Sequence, residues 1–421
     1  MDSILFLAHR LPFPPNKGDK VRSYHFLKHL AARYRVFLGT FVDDPLDWKH
    51  VEKLKGLCVE THIEALPPWT KSARGIGGLL QGQALTLGCF RSRRLREWVR
   101  EVIRRQRITR AFVFSSPMAQ YVLDTSNVRS FVDMVDMDSA KWGEYARRRP
   151  WPVSAIYKRE ATRLLAYERE IAAGSEASIF VTREEATLFR DAAPECAAKV
   201  ATIGNGVDST YFSPSLEFRS PFASGEHAIV FTGAMDYWPN VDAVSWFARD
   251  MLPEIRARHA SARFYIVGMT PDSAVRALAS DPAVVVTGRV DDVRPFVEHA
   301  RVIVAPLRVA RGIQNKVLEA MAMGKAVVVT PAVAAGMAAG VGVELETASD
   351  ASGFIEKVLA LMLDPERASR MGALARSRVL RDYIWPASYA QLDALLERDV
   401  AAPRMSAPVS ASGVHPTLAA S

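Results

Sequence analysis

Cysteine is scarce in this chain: Cys58, Cys89 and Cys196 are scattered through 421 residues. An odd, dispersed set matches neither a disulfide framework nor a zinc motif, and it suits a reducing compartment. Long apolar runs are missing as well. The longest near the N-terminus, Ile4 to Ala8, is soon followed by Arg10, far short of the roughly 20 residues that a membrane-spanning helix needs. The expectation is a soluble, cytoplasmic chain without a secretory signal. The nine histidines show no metal-ligand spacing, and no metal site is expected. What the chain has is apolar bulk: 49% hydrophobic residues over 421 positions supply the cores of two or three ordinary domains.

Charge is unevenly placed. Residues 1–200 hold 33 Lys and Arg against 23 Asp and Glu, and the remainder 21 against 23. The basic first half favours an anionic partner: a membrane surface, a lipid diphosphate or nucleic acid. No recognised nucleic-acid module supports the last of these, and no nucleic-acid partner is expected. Within that half, Arg91 to Arg107 contains eight arginines and two glutamates, while Leu95, Trp98, Val99, Val102 and Ile103 keep one helical face apolar. Two readings stand: a basic amphipathic helix in peripheral contact with an anionic membrane, or an outer helix with its apolar face in the core and its arginines in water.

Apolar periodicity predicts an α/β chain. A strand over Ser3 to Ala8 is followed by a Pro-rich loop and a helix from about Asp19; further strands are expected at Val36–Phe41, Ala111–Phe114, Ser130–Val135 and Ala177–Val181. A Pro, Ser and Gly stretch from Ser213 to Glu226 reads as a linker. A second series follows at Ala228–Phe231, Arg263–Val267, Val284–Thr287, Val302–Ala305 and Ala326–Val329. Alternating strands and helices imply two Rossmann-like domains with parallel sheets. The segment 400–421, rich in Ala, Pro and Ser, is expected to be disordered. No G-x-G-x-x-G follows the first strand of either series, which argues against an oxidoreductase.

The most informative segment runs from Val302 to Pro331. A strand ends in a loop, Leu307 to Gly312, and a helix carries Lys316 and Glu319 before Gly324. In a parallel sheet this loop faces the carboxyl-edge crevice where ligands bind. The amides of Gly312, Ile313 and Gln314 would lie at a helix N-terminus that favours phosphate oxygens. Lys316 and Glu319, three apart, share a face: a cation for a diphosphate and a carboxylate for ribose hydroxyls, or a surface ion pair on an ordinary helix. In the first half, Asp133, Asp136 and Asp138 cluster at the end of a strand and point towards the same kind of crevice, although any of them could instead cap the next helix. Asp136 and Asp138 have the Asp-x-Asp spacing of some metal sites, discounted here because they lie in the first half. His9 and His25 are also expected near the cleft, where a lone histidine is more often structural than catalytic.

Two runs carry a family resemblance. Lys316-Val-Leu-Glu319-Ala-Met-Ala-Met-Gly324 with the strand after it resembles the glutamate-bearing helix of family 4 glycosyltransferases of the GT-B type, and Ile203-Gly-Asn205-Gly206-Val207-Asp208, with Phe212 and Pro214, is similar to the hinge that opens their second domain. The resemblance extends to about residue 398 and implies an acceptor-side domain over 1–204, a nucleotide-sugar-binding domain over 205–379, and a helix over 380–398 that recrosses to complete the first domain.

Glu319 would be the second glutamate of the family's pair and would hold the donor ribose. The first falls at Arg311, a departure that leaves three roles open: contact with a diphosphate, contact with an acidic sugar, or exposure to solvent. The family's Arg/Lys clamp after the glycine turn at Gly233 is missing, which leaves Arg308, Arg311 and Lys316 as replacements. Arg289 and Val290 would meet the nucleotide base, with Arg289 stacked on it or turned to solvent. Gly18 would approach the donor phosphates, and Asp19, Lys20 and Arg22 would lie on the acceptor side, although Asp19 could equally cap a helix. Asp136, then Asp138, would sit beside the transferred sugar.

The activity so implied is transfer of a sugar from a nucleotide diphosphate donor to a glycan or lipid-linked acceptor, with retained anomeric configuration. No cofactor or metal is implied beyond that donor. The runs Asp133-Met-Val-Asp136-Met-Asp138 and Gly233-Ala-Met-Asp-Tyr-Trp-Pro-Asn240 are closest to transferases of exopolysaccharide and exosortase (PEP-CTERM) loci. That placement implies work on cell-surface polysaccharide, at the inner face of the cytoplasmic membrane. The alternative is a catalytically silent GT-B protein that binds nucleotide sugar or scaffolds a polysaccharide assembly complex.

Overall fold

The computed structural model describes residues 1–15, 18–67, 82–147, 149–310, 312–337 and 339–398. The expected disordered segment 400–421 therefore lies outside the described residues.

The first sheet has seven parallel strands: β1 (Ser3–Ala8), β2 (Arg35–Val42), β3 (Glu60–Ala65), β4 (Arg110–Phe114), β5 (Arg129–Val135), β6 (Ala177–Phe180) and β7 (Val200–Thr202), in the order β3-β2-β1-β4-β5-β6-β7. The second has six: β8 (His227–Thr232), β9 (Ala262–Val267), β10 (Val284–Gly288), β11 (Val302–Ala305), β12 (Val327–Val329) and β13 (Glu346–Thr347), in the order β10-β9-β8-β11-β12-β13. In each sheet the chain order reverses beside the first strand, β1 with β4 and β8 with β11. Such switch points open a crevice at the carboxyl edge. The central strands are apolar along their whole length, as a sheet covered on both faces requires: Ile4 to Ala8 and Ile229 to Phe231 are fully buried.

Helices α1 (Gly18–Ala31), α2 (Arg93–Gln106), α3 (Asp138–Arg147), α4 (Val153–Gly174) and α5 (Arg183–Ala192) belong to the first sheet; α6 (Trp238–Trp246) and α7 (Asn315–Ala322) belong to the second. The last helix, α8 (Trp385–Leu396), buries Trp385, Leu392, Leu395 and Leu396 in the same core as Phe6, Phe26 and Phe112 of the first sheet. Trp385 stacks on His25 at 4.2 Å, and burial pulls that imidazole down to about 4, so His25 is a neutral packing partner of α8. Gly206, where the chain leaves the first sheet, has no room for a side chain, because a Cβ there would lie 2.6 Å from the Trp385 amide. Outgoing and returning strands of the chain meet where Val207 pairs with Ile384.

Helix α2 answers the question raised by its arginines. Leu95, Val99 and Val102 are fully buried, while Arg93 pairs with Glu97 and Arg105 with Glu60. It is an outer helix seated on the sheet, with its apolar face already covered.

Candidate functional site

The site lies between the carboxyl edges of the two sheets. On the second-sheet side, β11 leads through residues 306–314 into α7, whose first-turn N–H groups have no acceptor within the helix. Lys316 and Glu319 project from one face of α7. The Lys316 ammonium reaches the turn after β8, where it donates to Asn240 Oδ1 at 2.7 Å and lies 4.0 Å from the Phe231 ring centre. Asn240 is fixed in turn by its own Nδ2, which donates to the Ala234 carbonyl at 2.8 Å. Gly233 makes this approach possible. Its φ is 155°, and a Cβ there would fall 2.9 Å from both Lys316 Nζ and Asn240 Nδ2.

Burial pulls Lys316 down to about 7 and pushes Glu319 up to about 7, each shift partly offset by the charge of the other. Among the described residues neither forms a salt bridge, and the Glu319 carboxylate takes no hydrogen bond. The pair is held in place but left electrostatically unsatisfied.

The first-sheet side is built on a strained turn. β5 ends at Val135 with φ 67°, a conformation that a β-branched residue adopts only when its surroundings impose it. The pairing of β5 with β6 slips at the same place. Buried carboxylates impose the turn: Met137 N donates to Glu185 at 2.8 Å and Ser139 N to Glu168 at 3.0 Å. Glu185 is itself set at the start of α5, where its amide donates to the Thr182 hydroxyl at 3.1 Å.

The result is that Asp136 projects into the cleft. Its Oδ1 is buried without a hydrogen-bond partner, and burial, reinforced by the Glu185 charge, raises its pKa to about 7. Asp138 opens α3 and faces Lys141 at 4.0 Å. Burial alone would lower Lys141, but Asp138 and the surrounding tyrosines and Asp136 leave it raised. Asp136, Lys141 and Tyr145 then line one wall of a pocket, partly open to solvent, whose other wall is Tyr237, Asn240, Leu307 and Gln314.

Gly312 packs against Asp136. With φ 62°, it brings its backbone so near Asp136 that a Cβ would lie 2.5 Å from Oδ1. Gly18, the first residue of α1, comes within reach of Asn315 on α7, its would-be Cβ 3.5 Å from Nδ2.

Asp19, Lys20 and Arg22, expected on the acceptor side, each meet a counter-charge inside the protein. Arg22 is almost fully buried and grips Asp133 through Nε at 2.7 Å and Nη2 at 3.1 Å. It also donates through Nη1 to Asn205 Oδ1 at 2.9 Å, and Asn205 Nδ2 donates to Asn315 Oδ1 at 3.1 Å. A polar line thus runs from β5 through α1 and the hinge to the start of α7. Lys20 is buried against Asp47. Asp19 is held by Arg10 at 2.9 Å and His9 at 3.4 Å; burial raises its pKa, yet His9 and Arg10 win and keep it below the usual range. A long cation buried in a folded core must find a carboxylate, and these did.

Arg308 pairs with Asp242, Nε at 2.9 Å, and lies over the Trp246 ring, outside the residues that line the pocket. Arg289 is exposed and Val290 half-buried, just after the positive-φ Gly288. Arg311 lies outside the described residues. Sequence reasoning missed the anchoring roles of Asn240, Asn205, Asn315, Glu168 and Glu185. Only Asn240 left a usable local signal, a polar amide directly after Pro239 near the start of a helix. Among the described residues, no cluster of three or more His, Cys, Asp and Glu could hold a metal ion.

Comparison with known proteins agrees with this fold. Residues 226–364 match the family model of glycosyl transferases group 1. No curated protein matches. Among solved structures, sucrose-phosphate synthase from Thermosynechococcus elongatus is 17% identical with a TM-score of 0.70, over 94% of this chain and 98% of that one. HepE from Anabaena, solved with UDP and glucose, is 14% identical with a TM-score of 0.67, over 94% and 99%. A TarM mutant from S. aureus, solved with fondaparinux, α-GlcNAc-glycerol and UDP, is 11% identical with a TM-score of 0.66, over 94% and 100%. At these identities the likeness establishes the fold over nearly the whole chain.

Proposed function

We propose that this GT-B glycosyltransferase, whose second domain carries the group 1 signature, moves a sugar from a nucleoside diphosphate to a glycan or lipid-linked acceptor in cell-surface polysaccharide synthesis. The transfer retains anomeric configuration and needs no obligatory metal. The observation that carries the donor half of this reading is the Lys316 ammonium held at the Gly233 turn beside Asn240, with Glu319 on the same helix face. The UDP complexes of HepE and TarM favour a uridine nucleotide.

The diphosphate sits between the Gly233 turn and the first turn of α7, where amides and Lys316 take up the charge of the leaving group. A phosphate beside Lys316 supplies a counter-charge that offsets the desolvation lowering its pKa and restores the ammonium. The Glu319 carboxylate accepts hydrogen bonds from the ribose hydroxyls. Asp136 faces the sugar across Gly312, and as a carboxylate it stabilises the positive charge that develops at the anomeric carbon. The acceptor oxygen bonds to that carbon as the bond to the diphosphate breaks. The electron pair leaves on the diphosphate, and the acceptor proton passes to a departing phosphate oxygen on the same face.

Calorimetry with UDP tests the donor half. Glu319→Ala should weaken binding by about 1.5–3 kcal/mol, the scale of charge-assisted hydrogen bonds, without lowering Tm. Equal affinity in the two proteins would remove Glu319 from the donor site.

A further inference from the structure

Helices α3 and α4 form a hairpin that stands on the first domain. Its base is fixed where Glu168 of α4 accepts from the Ser139 amide and hydroxyl at the start of α3. From Glu168 back to Val153, α4 rises by 15 residues, roughly 22 Å at 1.5 Å per residue. Trp142 and Tyr145 of α3 pack on Tyr157 of α4, with ring centres 4.9 and 6.5 Å apart. Tyr145 also meets Trp238 at 5.5 Å, so the hairpin flank touches the second domain beside the pocket, and its tip lies one to two helical turns further out.

That tip is apolar, basic and uncovered. Trp151 is 81% exposed, Ile156 46% and Val153 37%. Arg147, Arg149 and Lys158 around them are exposed, and among the described residues none of the three is in an ion pair. From Tyr145 to Lys158 the sequence contains no Asp or Glu. An exposed indole and two aliphatic side chains ringed by free cations match the interfacial layer of an anionic bilayer, where Trp sits at the headgroup level and each Lys or Arg adds about 1 kcal/mol. Among the described residues the other strongly exposed tryptophan, Trp48, is flanked by Asp43, Asp44 and Asp47 and lacks this complementarity. Helix α2 has cations but no uncovered apolar face.

We propose that the tip of the α3–α4 hairpin, Trp151, Val153 and Ile156 with Arg147, Arg149 and Lys158, docks the protein on an anionic lipid surface and brings the pocket mouth to it. This rests on the lipid-linked form of the acceptor proposed above and names the part of the chain that reaches the membrane. Because vesicle binding is read without turnover, the two readings fail separately.

The test is co-sedimentation of the full chain with phosphatidylcholine vesicles that contain or lack phosphatidylglycerol. Binding should require phosphatidylglycerol and weaken with salt. The variant Trp151→Ser/Ile156→Ser should bind at least about tenfold more weakly, and Arg147→Gln/Arg149→Gln should bind more weakly with a shallower salt dependence. Trp48→Ser and Arg94→Gln/Arg100→Gln, the latter on α2, should bind like the parent. UDP affinity of the tip variants should be unchanged, which shows that they fold. No binding to phosphatidylglycerol vesicles, equal binding by the tip variants, or a dimer in sedimentation that the tip substitutions dissolve would each overturn the proposal; the last would make a second copy of the chain the occupant. Vesicle binding that persists while no nucleotide binds would leave the docking surface standing and sink the proposed transfer.

Discussion

The two sides of the cleft use ionisable side chains in opposite ways. In the first domain the charged residues that follow Gly18 are matched one to one with buried or half-buried counter-charges: Asp19 with Arg10, Lys20 with Asp47, Arg22 with Asp133. In the second, Lys316 and Glu319 stand on one helix face with desolvated side chains and no ion pair. Burial without pairing raises the free energy of the charged form, and a ligand that brings the missing counter-charge or hydrogen-bond donors recovers it. A charge matched within the protein holds the fold together, whereas one left unmatched at a cleft is available to a substrate. Asp136 is the exception in the first domain. It is the carboxylate there that the turn at Val135 aims across the interface, and the one with an orphaned buried oxygen.

Removing one partner of a matched pair should give the largest effect. Asp133→Ala leaves the Arg22 guanidinium buried without its carboxylate, and should destabilise the protein by about 3–5 kcal/mol, read as a fall in the urea midpoint. A variant of parental stability that has lost only activity would place Asp133 with the functional charges and end the contrast. Next in size is Gly233→Ala. The added methyl meets the Lys316 ammonium and Asn240, so UDP binding should weaken by roughly tenfold or more, about 1.4 kcal/mol, while the urea midpoint moves less than in Asp133→Ala.

Asp136 should show itself in the pH profile. Its raised pKa means that the carboxylate forms only above about 7. If that form is the active one, kcat/KM falls on the acid side with an apparent pKa near 7, and Asp136→Asn removes the acid limb and lowers the plateau. An unchanged limb in the variant would assign the titration to another group.

The smallest signal is a proton count. At about pH 7 the free protein holds Lys316 and Glu319 both near half-titration. Bound diphosphate raises Lys316, which takes up protons, and bound ribose lowers Glu319, which releases them. The two nearly cancel in the parent, so calorimetry in buffers of different ionisation enthalpy should show little net exchange. Glu319→Gln should expose uptake and Lys316→Met release; the same sign in both variants would mean that the two residues do not divide the nucleotide between phosphate and sugar.

Strands at the centre of each sheet were legible in the sequence because burial on both faces leaves an unbroken apolar run. β1 and β11 fall at Ser3–Ala8 and Val302–Ala305, the residues that their apolar runs predict. Three edge strands were not legible: β3, whose Glu60-Thr-His-Ile-Glu-Ala is polar and half-buried, and β7 and β13, of three and two residues. An edge strand is stabilised by its neighbour and leaves little trace in its own composition.

The same division runs through the site. That Lys316 and Glu319 share a face follows from helical spacing alone, because residues three apart lie one turn from each other whatever surrounds the helix. That Arg22 belongs to Asp133, 111 residues on, and that Lys316 reaches the turn at Gly233 could be settled only when both sheets had formed and brought distant segments within hydrogen-bond reach. Sequence alone determined which groups could carry charge and which local surfaces they share. Tertiary structure decided which charges meet a partner inside the protein and which are left for a ligand, because desolvation and pairing depend on every neighbour in space, and most of those neighbours are remote in the chain.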